Sequence, residues 1–162
     1  LKLKLLNRQI GDPYPAAGIY AVDQLRRIGI ETEHIQLESK LYYQAMYKGD
    51  YDITITNVSD FVDDPNAQLN TLLSLKRSGV VAYSRHAEYK GDEKYDRQAT
   101  IIDPAARLKL VNEMERYILE QAYSLPLLWF QRIVANHRRV MGWELPASHF
   151  LGQSLVDVWL ND

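Results

Sequence analysis

Leu1, Leu3 and Leu5 alternate with Lys2 and Lys4, the period of a β-strand with one wet face. Asp12-Pro13-Tyr14-Pro15 reads as a turn that can start a helix. From Ala17 the apolar positions Ala17, Ala21, Leu25 and Ile28 recur at helical spacing, with Asp23, Arg26 and Arg27 on the surface. Gly29 is placed to stop that helix, because glycine enters the left-handed conformation of a helix end without steric cost. A second strand is expected over 30–37. Residues 1–37 thus predict a β-α-β unit, for which a right-handed crossover is strongly favoured.

A short helix follows over 39–48, carrying Leu41, Ala45, Tyr42, Tyr43 and Tyr47. Tyr51, Ile53 and Ile55 then alternate with Asp52, Thr54 and Thr56, a strand with one buried side. It runs into the polar loop Asn57-Val58-Ser59-Asp60-Phe61. Asp64-Pro65 reads as a helix start, the aspartate capping free N–H groups and the proline filling the first turn. Leu69, Leu72 and Leu73 are expected in the core.

Residues 77–91 read as irregular, and a small helix is expected around 92–99. The clearest helix opens at Asp103-Pro104, with Leu108, Val111, Met114, Ile118 and Ala122 as its apolar stripe. Lys109 and Glu113 are spaced to pair on its outside, an interaction of roughly 0.2–0.5 kcal/mol. Residues 124–130 read as a strand. The tail carries Ile133-Val134-Ala135, a turn at Met141-Gly142-Trp143 and an apolar segment over 155–160, with Trp143 and Trp159 expected to pack. The fold class is therefore α/β, a mixed sheet with β-α-β units flanked by helices.

At 162 residues and 46% apolar composition, one core is sufficient and one domain is the default. A net charge of −2 provides no field for nucleic acid and no polybasic membrane patch. The absence of cysteine excludes a disulfide framework, a CxxC redox site and a cysteine zinc site. No apolar run approaches a membrane span, and no signal-peptide pattern opens the chain. Opening without methionine in a strand-like stretch, the chain is expected to be a piece of a longer protein.

The chemistry of catalysis is hard to find. GxxxxGK, GxGxxG, GxSxG and HExxH are missing, and His34, His86, His137 and His149 lie too far apart for ligand spacing. No cofactor and no metal is expected. Asp60, Asp63 and Asp64 form the one dense acidic group in a loop. They read either as a helix cap with two solvated neighbours or, for Asp60 and its neighbours, as ligand contacts. A loop at the carboxyl end of a sheet strand, beside a helix start, is where open α/β sheets bind ligands. Tyr42, Tyr43, Trp129 and Phe130 are candidate pocket walls, with core packing the competing account.

Several stretches, taken in order, resemble the large extracellular solute-binding proteins of ABC transporters, in the dipeptide/oligopeptide/nickel-binding family. They are Gln24-Leu25-Arg26-Arg27-Ile28-Gly29-Ile30, then Lys48-Gly49-Asp50-Tyr51-Asp52-Ile53 followed by Asp64-Pro65. Tyr95-Asp96 comes next, followed by Asp103-Pro104-Ala105-Ala106-Arg107. Last are Leu125-Pro126-Leu127, Val140-Met141-Gly142 and Val158-Trp159-Leu160. The resemblance implies a two-lobed, non-enzymatic protein that closes on its ligand and delivers it to a membrane permease. Residues 1–130 are similar to much of a periplasmic-binding-protein-like second lobe, and 131–162 to the segment returning toward a first lobe.

It further implies a periplasmic or extracellular, membrane-associated location, and ligand contacts from Asn57, Val58, Ser59, Asp60, Phe61, Trp129 and Phe130. Peptide-binding members place an aspartate four residues ahead of the proline of the "[DE]-P" pair. Here that position is Phe61, and Asp60 stands one further away. Phe130 matches the family's aromatic four residues after the later strand's proline. Peptide, sugar, opine and metal-chelate carriers share the scaffold. Apart from the ligand, the expected partners are the permease, the first lobe and, through exposed apolar tail residues, a second copy. The alternatives are the effector-binding half of a transcription regulator with the same fold and a small α/β enzyme, which would need a converging acid/base set.

Overall fold

The computed structural model describes residues 1–57, 64–88, 90–129, 133–145 and 154–161. Its centre is a three-stranded parallel sheet of order β2-β1-β3, formed by β1 (Lys2–Arg8), β2 (Glu31–Leu37) and β3 (Ile53–Thr54). Leu5 stands between His34 and Ile53, and Leu6 between Ile35 and Thr54. The expected single wet face of β1 holds only at its start. Leu5, Leu6 and Asn7 are all buried, because a middle strand of a parallel sheet is covered on both sides.

Each cover is one of the helices read from the sequence. The first, α1 (Tyr14–Arg27), begins earlier than its apolar repeat and lies on the face carrying Leu5, Asn7 and His34. Gly29, with φ +82°, ends it, its N–H donating to the Arg26 carbonyl at 3.0 Å. The second, α2 (Ser39–Lys48), lies on the opposite face, where Tyr42 and Met46 pack on Leu6. Tyr42 is therefore a core residue, its hydroxyl donating to the Ile55 carbonyl at 2.8 Å. The strand expected over 51–56 narrows to two paired residues, though Asp52 and Ile55 extend the hydrogen bonding to β1 on either side.

A second core lies among helices. It joins α3 (Pro65–Leu69), α5 (Lys90–Gln98) and α6 (Pro104–Glu120) through Leu69, Leu73, Tyr95, Val111, Met114 and Ile118. The short α4 (Leu75–Ser78) is held by Ser74, whose backbone and hydroxyl both donate to the buried Asp92 carboxylate. Asp64 and Asp103 cap α3 and α6 through the N–H groups of Asn66 and Ala106.

Three expectations about α6 change. Its buried stripe is Leu110, Val111, Met114 and Ile118, while Leu108 is exposed. Val111, Met114 and Ile118 keep the predicted phase, and one turn ahead of Val111 the position is taken by Arg107, which reaches Asp64. Ala122 falls beyond the helix, with φ +55°. Glu113 accepts from Lys94 of α5 at 3.3 Å rather than from Lys109, because α5 packs alongside.

Residues 124–129 pair with no strand among the described residues, so this expected strand is a stretch with Leu125, Leu127, Leu128 and Trp129 exposed. In the tail, β4 (Val140–Met141) pairs antiparallel with β5 (Trp159–Leu160). Gly142, with φ +74°, is required there, because a Cβ would strike the Asp157 carbonyl and the Trp159 ring. Trp143 is half-buried, but Trp159 remains more than half exposed, packing less than expected.

Candidate functional site

In this sheet order β1 connects outward to β2, and the chain then crosses back over β1 to β3. β1 and β2 are followed by helices on opposite faces of the sheet, α1 and α2. Such a switch point opens a crevice where α/β sheets bind ligands. The described residues at this edge are Asn7, Arg8 and Tyr14 after β1, Tyr43 from α2 and Asn57 after β3.

They form one connected surface. The Arg8 guanidinium carbon lies 4.4 Å from the Tyr14 ring centroid, a cation–π distance. Its Nη1 donates to the Tyr43 hydroxyl at 2.7 Å. The Tyr14 hydroxyl donates to Asn57 Oδ1 at 3.1 Å, bridging the two loops that flank the crevice. Beneath them the buried Asn7 accepts the Arg8 N–H at Oδ1 (2.8 Å) and donates from Nδ2 to the Tyr14 carbonyl (2.6 Å).

Arg8 is half-buried and pairs with no carboxylate among the described residues. Its Nε is buried without a hydrogen-bond partner. The side chains it touches, Tyr14 and Tyr43, are tyrosines rather than carboxylates, and a guanidinium so held offers a planar fork of donors to an incoming anion. Among the described residues of the edge no nucleophile stands beside a base.

Asn57 is the one predicted loop residue that the described structure locates at this edge. Val58, Ser59, Asp60, Phe61 and Phe130 lie outside the described residues. Trp129 is 98% exposed and so packs against none of the edge side chains. Sequence reading missed Arg8 and Tyr14. The available signal was an arginine ending a buried strand just before a glycine- and proline-rich turn.

Asp64 does more than cap. Both its oxygens accept from Arg107, at 2.7 and 2.8 Å, while Arg107 Nε donates to Gln98 at 2.8 Å. Tyr95 and Gln98 also hold Asn66, so the chain that follows the 58–63 loop is fixed to α5 and α6. Hydrogen bonds from Arg107, then from the Asn66 N–H, hold the Asp64 carboxyl below its usual value of 3.8. A lowered carboxyl pKa stabilises the fold above the unfolded value, and that stability is lost as pH falls through the folded one. Thermal melts from about pH 5 to pH 2 should therefore show a steeper acid decline for the parent chain than for Asp64→Asn. Parallel declines would assign the acid sensitivity elsewhere.

A hollow of about 170 Å³ between α3 and α6, lined by Asp64, Pro65, Gln68, Leu69, Val111 and Glu115, falls below the roughly 300–1,000 Å³ of ligand pockets. A larger space of about 570 Å³ is an open strip along the outside of α6. Among the described residues no three histidine or acidic side chains gather as metal ligands.

No protein-family model matches the sequence, and neither does any curated protein. Solved structures do match the fold. HbpA2 from Haemophilus parasuis superposes with a TM-score of 0.68 at 17% identity, over 75% of this chain and 25% of its own. The ABC transporter-associated periplasmic binding protein DppA from Helicobacter pylori, in complex with peptide STSA, gives 0.67 at 17% identity, over 75% and 24%. The Escherichia coli murein tripeptide binding protein MppA gives 0.66 at 22% identity, over 76% and 24%. The chain thus has the α/β fold of a part of periplasmic binding proteins, the group its motifs resemble, and it spans about a quarter of the length of these structures.

Proposed function

We propose that the chain is the ligand-binding lobe of a transport receptor that captures a small solute, with peptides the favoured class, for import by an ABC permease. The observation that supports this reading is the half-buried Arg8, which meets no carboxylate among the described residues and is set in tyrosine and amide groups at the switch point. A peptide suits such a surface, since its terminal carboxylate fits the guanidinium and its amides fit tyrosine and asparagine. The solved proteins of the same fold include peptide binders, which supports the same class. By the same likeness the receptor works in the periplasm.

In this reading a second lobe covers the ligand from the other side. The apolar side chains exposed at Leu125, Leu127, Leu128 and Ile133 are then surface that the remainder of the receptor covers. The regulator reading shares the fold, but no observation here favours it. Mass spectrometry of small molecules released from the full-length protein, purified from its host, is the test. Peptides with free carboxyl ends are expected, whereas a cargo without any anionic group would overturn the assignment.

A further inference from the structure

Asn7 has two amide protons and one carbonyl, and the fold occupies all three. Oδ1 takes the Arg8 N–H, one proton goes to the Tyr14 carbonyl, and the other faces His34 Nε2 at 3.2 Å. The amide cannot be turned over. Its Nδ2 would then meet the Arg8 N–H, donor against donor, and its oxygen would meet the Tyr14 carbonyl. His34 Nε2 is therefore the acceptor, with the ring proton on Nδ1.

We propose that His34 is a positioning residue that makes the ligand edge pH-sensitive, releasing Tyr14 and Arg8 from their setting when Nε2 takes a proton. The proposal rests on reading the carboxyl edge as the ligand face. A proton on Nε2 points a donor at the Asn7 amide, which already donates. The clash has little room to relax sideways. Gly18 of α1 sits so close that even a Cβ there would strike both Asn7 Nδ2 and the His34 ring. Relief comes by displacing Asn7 or the first turn of α1, and that turn carries Tyr14.

The groups packed around the ring carry no charge to oppose this. β1 presents Asn7 and α1 presents Gly18, while Glu33, the next residue on β2, stands beside Lys4 on the other face. Beyond Asn7 the hydrogen bonds run to the Tyr14 carbonyl and the Arg8 N–H, both uncharged backbone groups. Burial alone displaces the His34 pKa, downward from 6.5. The ordered edge is thus complete above that value and is lost as pH falls through the lowered one.

An NMR pH titration of the isotope-labelled chain, from about pH 7.5 to 4.5, tests this without any ligand. The Arg8 and Tyr14 backbone amides and the Asn57 side-chain amide should move with the midpoint of the His34 ring. In His34→Gln, and in His34→Asn should the first variant fold poorly, that transition should vanish. A His34 titration that leaves all three signals still would overturn the proposal, and so would the same transition persisting in the variants. Because no ligand is used, failure here leaves the transport reading standing, and failure of that reading leaves the coupling measurable.

Discussion

Arg8→Ala is expected to weaken binding of a peptide carboxylate by roughly 10- to 150-fold, about 1.5–3 kcal/mol, the range of hydrogen bonds to charged groups. The fold should survive, because Arg8 ends its strand and, among the described residues, its side chain makes one hydrogen bond, to the Tyr43 hydroxyl. The backbone ladder of β1 and the Asn7 amide are untouched by the change. Arg8→Lys should recover only part of the loss, since an ammonium has neither the fork nor the flat face that lies against Tyr14. Calorimetry with a tripeptide and with the same tripeptide amidated at its carboxyl end reads the effect directly. The amide should bind the parent chain as poorly as the free peptide binds Arg8→Ala. Equal affinities of parent and variant for both ligands would remove Arg8 from the site.

Met114→Ala should be the most damaging change to stability, about 2–5 kcal/mol, because a fully buried side chain leaves a cavity that its neighbours fill only in part. Met114 stands in the middle of the helical core with Leu73, Val111 and Ile118. For a chain of this length that loss corresponds to a fall in Tm of roughly 5–20 °C. Differential scanning calorimetry settles it. Leu108→Ala is the internal control. The hydrophobic repeat counts Leu108 in the stripe, yet its exposure predicts a near-neutral change.

Leu108 also illustrates what could be read in advance. That β1 is a strand, the cap pairs Asp64-Pro65 and Asp103-Pro104, the stop at Gly29 and the buried Val111, Met114 and Ile118 of α6 depend on a few neighbouring residues, and each was legible. The first turn of α6 was not. It depends on Arg107 turning toward a carboxylate 43 positions earlier in the chain. The strand expected over 124–130 failed for a related reason. Its residues have the right propensities, but a strand also needs a paired neighbour, which no local pattern supplies.

The site divides in the same way. Proximity to the end of β3 could be inferred from the order of elements, and Asn57 stands there. Arg8 and Tyr14 could not be inferred, since the contact of Tyr14 with Asn57 follows only from the order β2-β1-β3, which sets the ends of β1 and β3 side by side. Asn7 was hidden more deeply. A polar residue at a buried strand position looks like an error in the pattern until its three partners are known.

The proposed function requires the carboxyl edge of the parallel sheet to act as a half-surface for ligand, with a second lobe to cover it. Chemical-shift mapping of the 162-residue chain with trialanine examines that surface directly. Weak, fast-exchanging binding is predicted, with perturbations concentrated at Arg8, Tyr14, Tyr43 and Asn57. Tight stoichiometric binding, or perturbations gathered instead along α6 and the tail, would contradict it.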